Sequence, residues 1–523
     1  MSIDAHFRLS QAPFFSEERV AQAGLATLVV VAIALRLAAF LLVPSLNWAD
    51  EIFQVVEQAH RLVYGNGLVP WEFQLGARSW LLPGVIAGLM ELAHIVGDGP
   101  DYYLPIIAGA LAALGAAPVV CCFLWCRRLF GVSGAFVTAA AVAVAPELIY
   151  FGARSLSEVV AGHLLVIALY VLGPGYLVAS RRRLFIGGTL LGLVFVIRVQ
   201  LAPVLLVIAL WTGWSRQWER VPPILAGAAG VLSLAGILDT LTLGYPLTSL
   251  WRYVQYNVYF GVSSSFGIEP WYYYLGIELA VWRGAVAFLL LLAILGAWRL
   301  PLPFAAAVTI LAVHSVIPHK EYRFIYPALV LVMILAGAGL VELASWRVRR
   351  LRTSGNRAAA MPLRFASSFG VWAVVSFVVW TGPTLAGLRD SAQNNLSAAS
   401  FVAHGPAPCG IGLYGLGGDD WAAYGGYTYF HRSAPMYWPK DEAALVAMAD
   451  GFDTLLYTQP PPRTLGFATV RCTGEVCVAH RIGGCRSMPM TPIPIPDGLV
   501  GVVAAKTTDS EVAEGGGGTD RLR

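Results

Sequence analysis

Asn47-Trp48-Ala49-Asp50-Glu51-Ile52-Phe53-Gln54 follows directly on an apolar run, residues 21–44, that is long enough to cross a bilayer. Two adjacent carboxylates at the mouth of a membrane helix are unusual, because a carboxylate near hydrocarbon requires a partner or a task. Downstream, Ile52, Val55, Val56, Ala59, Leu62 and Val63 recur at helical spacing, while Asp50, Gln54, Glu57 and Arg61 fall on the opposite face. The pattern predicts a short amphipathic helix lying against the membrane surface, with a carboxylate pair at its start. A first-turn acid is equally an ordinary helix cap. Spacing alone therefore leaves cap and catalytic base both open.

The chain around this stretch has 523 residues, 57% of them hydrophobic and 13% charged. Its mean hydropathy is +0.66. Soluble domains carry about 25% charged residues, so the composition points to an all-α polytopic membrane protein. The net charge of +4 is small, and no nucleic-acid partner is expected. Residues 1–20 carry Glu17, Glu18 and Arg19 and lack the charge-then-apolar order of a cleavable signal peptide, so the first span is expected to direct export.

Apolar runs at 21–44, 104–126, 133–151, 157–178, 184–198, 201–214, 221–239, 284–299, 303–317, 324–345 and 368–388 predict about eleven spans. Segment 81–97 is ambiguous, because Pro83, Glu91, His94 and Asp98 weaken it as a span. Parity decides it. Treated as an interfacial helix of a first external loop (45–103), it leaves Arg127-Arg128, Arg181–Arg183, Arg216/Arg220, Arg299 and Arg347–Arg352 all cytoplasmic, as the positive-inside rule requires. The N-terminus is then inside and the C-terminus outside. Asp50-Glu51, Arg78, Arg154–Glu158, Arg198/Gln200, Asp239, His319–Arg323 and an aromatic-rich loop at 240–282 all fall on the outer face. Basic clusters on one side, with mixed acid, base and aromatic motifs on the other, imply a single active surface.

After residue 388 the composition becomes that of a water-soluble domain. Strands are expected within 410–420, 454–459 and 469–480, giving a small α/β or α+β external domain over 389–510, followed by a disordered tail at 511–523. Cys121, Cys122 and Cys126 lie in an apolar span and read as packing. Cys409, Cys472, Cys477 and Cys485 suit two disulfides in an oxidising compartment, their connectivity unreadable from sequence.

His319-Lys320-Glu321-Tyr322-Arg323 stands where an apolar run begins. Cations at a helix start oppose the macrodipole, and an anionic ligand such as a phosphate resolves the conflict. A solvated helix start with snorkelling side chains is the plainer alternative. Arg198 and Gln200 interrupt an apolar run, where an arginine is either functional or paired with a neighbouring helix. Arg154 and Glu158 are spaced for an i,i+4 ion pair, and Asp239 for a loop cap.

Read together, these motifs resemble glycosyltransferase family 22, the mannosyltransferases of GPI-anchor and N-glycan precursor assembly. Asp50-Glu51-x2-Gln54-x2-Glu57-x2-His60, Tyr64-Gly65-x-Gly67, Trp71-Glu72 and Arg78-Ser79 are similar to that family's first external loop. Tyr256-Asn257, Phe266-Gly267 and Pro270-Trp271-Tyr272 resemble its central loop, and His319-Lys320-Glu321-x-Arg323-Phe324 its most distinctive motif. The likeness covers about 40–345 in order. The region from 389 matches no pattern of the family, and the Ala/Gly/Val-rich, Lys-poor composition looks bacterial.

The resemblance implies a GT-C fold over 1–388 with its active site at the extracytoplasmic face of a bacterial inner membrane, or of the endoplasmic reticulum in a eukaryote. It implies a polyprenyl-phosphate-linked hexose donor, mannose by analogy, and a glycan or glycolipid acceptor. Asp50 would accept the acceptor's proton, with Glu51 beside it as a coupled carboxylate. His319, Lys320 and Arg323 would stabilise the leaving phosphate, with Arg198 or Arg78 as a second clamp. Glu57, His60, Trp71, Glu72, Tyr256, Asn257 and Trp271 are the implied substrate contacts. No cofactor or metal is expected. The competing readings are transfer of another sugar, such as aminoarabinose or glucose, to lipid A or protein; a lipid-linked oligosaccharide transporter; and a receptor or scaffold.

Overall fold

The computed structural model describes residues 12–173, 180–214, 218–350, 360–496 and 499. The 511–523 tail, Arg216 and Arg352 lie outside the described residues.

Apolar composition makes the described parts of the expected spans largely helical, with prolines mostly in the first turns, where they cost no hydrogen bond. Among the described residues, five helices are long and apolar enough to cross a membrane: Glu18–Leu41, Pro100–Ala143, Trp218–Leu243, Tyr273–Ala297 and Tyr322–Trp346. A bent pair, Phe365–Trp380 and Pro383–His404, makes a sixth. Ser157–Leu172, Val199–Trp211 and Pro301–Val316 are shorter apolar helices among them. The protein is an integral membrane protein. Residues 104–126 and 133–151, read as two spans, fall largely on one continuous helical stretch, broken in direction at Gly131, whose φ of 74° no ordinary residue adopts cheaply. The helix Leu81–Ala93 has 13 residues, about 20 Å, and is too short to cross a bilayer.

Without a hydrophobic drive between helices in lipid, small residues allow the close approaches that hold a bundle. A Cβ on Gly296 would lie 2.0 Å from the Leu335 carbonyl, and one on Gly339 1.9 Å from that of Leu292. These reciprocal glycines let Val286–Ala297 pack backbone to backbone on Tyr326–Arg350, the most deeply buried helix. Gly188 and Gly227 do the same for Arg181–Ile197 and Val221–Leu243, each glycine set against the other helix's backbone carbonyls.

The ends of these helices sort the charges. Arg181–Arg183 begins the helix that ends before Arg198, and Arg220 precedes the helix that carries Asp239 in its last turns. The helix Tyr326–Arg350 starts beside Arg323 and runs away into the Arg347–Arg350 cluster. Basic clusters therefore occupy one end of the bundle and the mixed motifs the other.

The C-terminal region is a five-stranded sheet flanked by short helices. The strands are β1 (Ile411–Tyr414), β2 (Met436–Tyr437), β3 (Thr454–Tyr457), β4 (Ala468–Thr473) and β5 (Val476–His480), in spatial order β2-β1-β3-β5-β4. β1 runs parallel to β2 and β3, with Leu413 opposite Leu456. β5 is antiparallel to β3 and β4. Disulfides join Cys409 to Cys485 and Cys472 to Cys477.

The amphipathic helix expected to lie on the membrane surface is instead covered on both sides. It begins at Asp50, passes through a π-turn at Ile52–Val56 and continues to Tyr64, and every residue from Glu51 to His60 is buried. Its apolar face meets the bundle end, and its polar face, Gln54 and Glu57 included, meets protein rather than water.

Candidate active site

Arg323 lies on the single 3-10 turn Tyr322–Ile325 that leads into the most buried helix. Its neighbour Tyr322 donates its hydroxyl to the buried Glu147 carboxylate, which also accepts from Trp282 Nε1 at 3.0 Å. The turn is thereby fixed, and the guanidinium is 4% exposed. Its fork spans three carboxylates: Asp50 at 2.5 Å from Nη2, Glu158 at 3.2 Å from Nη1 and Glu321 at 2.6 Å from Nε. Asp50 keeps 33% of its side chain exposed, so it stands at the mouth of the site.

Glu158 occupies the first turn of Ser157–Leu172, fully buried, and takes a second arginine, Arg198 Nη2 at 2.8 Å. Arg198 leaves the helical path (φ −145°, ψ 87°), which ends Arg181–Ile197 and turns its side chain onto Glu158. The i,i+4 pair expected between Arg154 and Glu158 does not form. Arg154 pairs with Glu51 at 2.9 Å, both side chains 3% exposed or less, and also donates to the Ser45 carbonyl at 3.0 Å.

The adjacent acids Asp50 and Glu51 thus point to different partners. Successive helical residues diverge by about 100°, so one faces the open site and the other the bundle. The acid that does share Asp50's field is Glu72. Burial, then the Asp50 charge, push its pKa up to about 7. Gln54 Nε2 donates to Glu72 Oε1 at 2.6 Å.

His319 Nε2 is 3.1 Å from Glu321 Oε1, and its Nδ1 3.0 Å from the Gly267 carbonyl. Glu321 raises the pKa of His319 and favours its charged form. Burial works against the Glu321 charge, yet Arg323 and His319 outweigh it and hold its pKa down to about 2. Lys320 departs from the phosphate-gripping role: its Nζ donates to the carbonyls of Glu269 at 2.8 Å, Ile317 at 2.6 Å and Pro318 at 3.3 Å. An ammonium has three donors and all are taken. Lys320 stitches the central loop to the bundle.

A cleft opens beside this network, lined by Gln54, Arg78, Ser79, Ser157, Gln200 and Tyr253 among others. Arg78 sits over the Tyr253 ring, 5.3 Å from its centroid, and its Nε is buried without a hydrogen-bond partner. Arg198 Nε is likewise buried and unpartnered, while its Nη1 reaches Ser157 Oγ at 3.4 Å. Buried donors left without acceptors are rare in native structures. Of the two, Arg78 lines the cleft directly, and Arg198 reaches it through Ser157, which does line it.

Of the remaining candidates, Trp71 stacks 6.5 Å from Phe266 and sets its edge 6.3 Å from Tyr256, which is itself buried. Asn257 Nδ2 returns to the Tyr253 carbonyl at 3.1 Å, within its own helix. Trp271 is 73% exposed and contacts Tyr272. Glu57 and His60 face away from the cleft into the C-terminal domain. His60 Nδ1 meets the Asn66 carbonyl at 2.9 Å, and burial pushes its pKa down to about 4. Asp239 accepts from Ser249 N and Oγ at 2.8 and 2.7 Å, fixing the helix Thr248–Val254.

The Alg9-like mannosyltransferase family matches residues 27–385 of this sequence. The chain belongs to that family. Two relatives are GPI alpha-1,2-mannosyltransferase 3 of Bos taurus and GPI mannosyltransferase 3 of Yarrowia lipolytica. The first is 26% identical over 330 residues, 61% of this chain and 60% of its own. The second is 28% identical over 337 residues, 62% and 64% respectively. The chain spans less than two thirds of the length of the curated relatives it matches. In three dimensions it is similar to ArnT from Cupriavidus metallidurans bound to undecaprenyl phosphate, with a TM-score of 0.56 and 14% identity over 87% of this chain and 97% of that one. That likeness shows the fold, the GT-C arrangement.

Glu158 and Glu321 hold Arg323 in place, yet neither stood among the site residues expected from sequence. The cue was present for Glu158: a carboxylate in the first turn of an apolar helix, in a chain with several intramembrane arginines, needs one of them.

Proposed function

We propose that the protein is an inverting mannosyltransferase that moves mannose from a polyprenyl-phosphate donor to a glycan or glycolipid acceptor at the extracytoplasmic face. Asp50 at the mouth of the site takes the acceptor's proton. Arg78 and Ser157, which line the adjoining cleft, receive the donor phosphate, with Arg198 behind Ser157 as a second clamp. Family membership supports the reaction class, and the undecaprenyl phosphate named with ArnT supports the donor class. Two disulfides and arginine clusters at the opposite end of the bundle support the orientation.

The single observation that carries the reading is the ion pair between Asp50 and Arg323. A donor phosphodiester carries one negative charge, and the departing polyprenyl phosphate gains a second. As the acceptor oxygen bonds to the anomeric carbon and the carbon–oxygen bond to phosphate breaks, the acceptor's proton passes to Asp50. Asp50 becomes neutral and releases its claim on Arg323 as charge grows on phosphate. Arg323 exchanges one anion for another, so the site stabilises the charge where it develops. General-base help of this kind is worth about 10²–10⁴-fold.

The test incubates purified full-length protein with polyprenyl-phosphate-mannose and extracted envelope lipids, followed by mass spectrometry. A lipid one hexose heavier, absent when a nucleotide-linked mannose replaces the donor, supports the reading. A product formed directly from the nucleotide sugar contradicts it.

A further inference from the structure

The family match ends at residue 385, yet the residues beyond 389 grip the loop that carries Asp50. The Glu57 carboxylate is completely buried and accepts four hydrogen bonds. One comes from Leu68 N at 2.8 Å; the other three come from the C-terminal domain, Tyr427 N at 3.0 Å, Thr428 N at 2.9 Å and Thr428 Oγ1 at 2.7 Å. Backbone donors cannot rotate away, so the carboxylate has one position. Gly426 makes this approach possible. It adopts φ +60°, and a Cβ there would lie 2.7 Å from Glu57 Oε1 and 2.8 Å from the Phe53 ring.

Further contacts hold the same loop along its length. Leu46 N donates to the Ser391 carbonyl at 3.1 Å, and Ser391 Oγ donates back to the Leu46 carbonyl at 3.0 Å. Phe53, on the π-turn, sets its ring 5.0 Å from Trp421. Asn66 Nδ2 donates to the Arg432 carbonyl at 3.2 Å. From the bundle side, Ser155 Oγ donates to the Glu51 carbonyl at 2.9 Å. Asp50 is therefore placed by a helix held between the bundle and the sheet domain. The π-turn Ile52–Val56, a helix form that recurs at functional sites, lies between Asp50 and Glu57.

We propose that the C-terminal sheet domain is a positioning element of the active site, acting through Glu57, Thr428 and Gly426 to fix Asp50 relative to Arg323. This rests on Asp50 being the base. A displacement of about 1 Å in a reacting group costs up to about 10²-fold in rate. The domain thus contributes to turnover without touching substrate, and Glu57 is a positioning residue rather than a substrate contact.

The experiment uses the full chain in lipid nanodiscs, with polyprenyl-phosphate-mannose as donor. Thr428→Val removes one donor to Glu57, and Gly426→Ala pushes on the carboxylate without removing any. Both are expected to lower kcat by about 10- to 100-fold with donor KM within about threefold of wild type. Thr428→Ser, which keeps the hydroxyl, behaves as wild type. Amide hydrogen exchange rises over residues 46–56 in the two impaired variants and stays unchanged in the helix Tyr326–Arg350. A kcat within about twofold of wild type in both, or unaltered exchange over 46–56, overturns the proposal. Asp50→Asn measured alongside separates the claims. Activity in Asp50→Asn removes the base, whereas an inactive Asp50→Asn with fully active Thr428→Val and Gly426→Ala removes only the positioning role.

Discussion

Arg323 Nη2 stands 2.5 Å from Asp50 Oδ2, joining residues 273 positions apart in sequence. Arg323 holds Glu158 and Glu321 at the same time, and Asp50 is the most exposed of the three, 33% against 0% and 25%. On the proposed reading it is the partner that an incoming phosphate displaces.

Arg323→Lys tests that exchange. Lysine keeps the charge but loses the planar fork that spans three carboxylates. Donor affinity is expected to fall about 10- to 100-fold, the value of one or two charge-assisted hydrogen bonds. Equilibrium binding of a non-transferable polyprenyl phosphate checks it, and an unchanged Kd removes Arg323 from the phosphate's contacts.

Arg78 Nε is buried without a hydrogen-bond partner, and the side chain's contact with the Tyr253 ring is worth about 1 kcal/mol. Arg78→Ala should therefore weaken donor binding by about 10- to 100-fold while shifting unfolding by no more than about 1 kcal/mol. Arg198→Ala differs, because it strips a 2.8 Å ion pair from the buried Glu158. Arg323 still pairs Glu158, so the cost should be about 1.5–3 kcal/mol of stability, the value of a hydrogen bond to a charged group. Thermal unfolding in detergent measures both, and equal destabilisation by the two variants contradicts the assignment.

On the proposed reading Glu51 serves structure and Asp50 chemistry. Glu51→Ala leaves Arg154 buried and unpaired, with an expected loss of about 3–5 kcal/mol. Asp50→Asn should leave unfolding nearly unchanged. Were Glu51 the base, Glu51→Gln would abolish transfer in a protein as stable as wild type.

Glu72 gives a pH signature. Burial and the Asp50 charge hold its folded pKa near 7, above the ordinary carboxylate value of 4.5. The folded state then binds a proton that the unfolded state has released, so this group's contribution to stability falls as pH rises from about 4.5 to about 7 and is flat beyond. Glu72→Gln cannot titrate. Between about pH 5 and about pH 8 the unfolding temperature of wild type should drop more than that of Glu72→Gln. Parallel curves would show that Glu72 does not titrate in that window.

The helical, membrane-spanning character, the segregation of charge and the order of the motifs are legible in sequence, because apolar runs and arginine clusters are local patterns. The division into about eleven spans is not reproduced among the described residues, where five or six helices are long enough to cross. Nor are the partners legible in sequence. Asp50 and Glu51 are neighbours in sequence, yet one helical step sends them to Arg323 and Arg154. Arg154 and Glu158 have the spacing of an ion pair, but the chain is non-helical between Gly152 and Leu156, so the spacing rule does not apply. Lys320 has the motif position of a phosphate ligand, but its ammonium is taken by three backbone carbonyls that only the folded loop brings to it. Glu57 read as the solvated face of an amphipathic helix, since nothing local shows that a domain some 370 residues later closes over it.

The most direct measurement is mannosyl transfer from polyprenyl-phosphate-mannose by Asp50→Asn beside wild type, with donor binding measured on the same preparations. The account predicts a loss of transfer of at least about 10²-fold with donor affinity retained or tightened, because Arg323 is freed for phosphate. Transfer within a few-fold of wild type, in a protein that still binds donor, would contradict it.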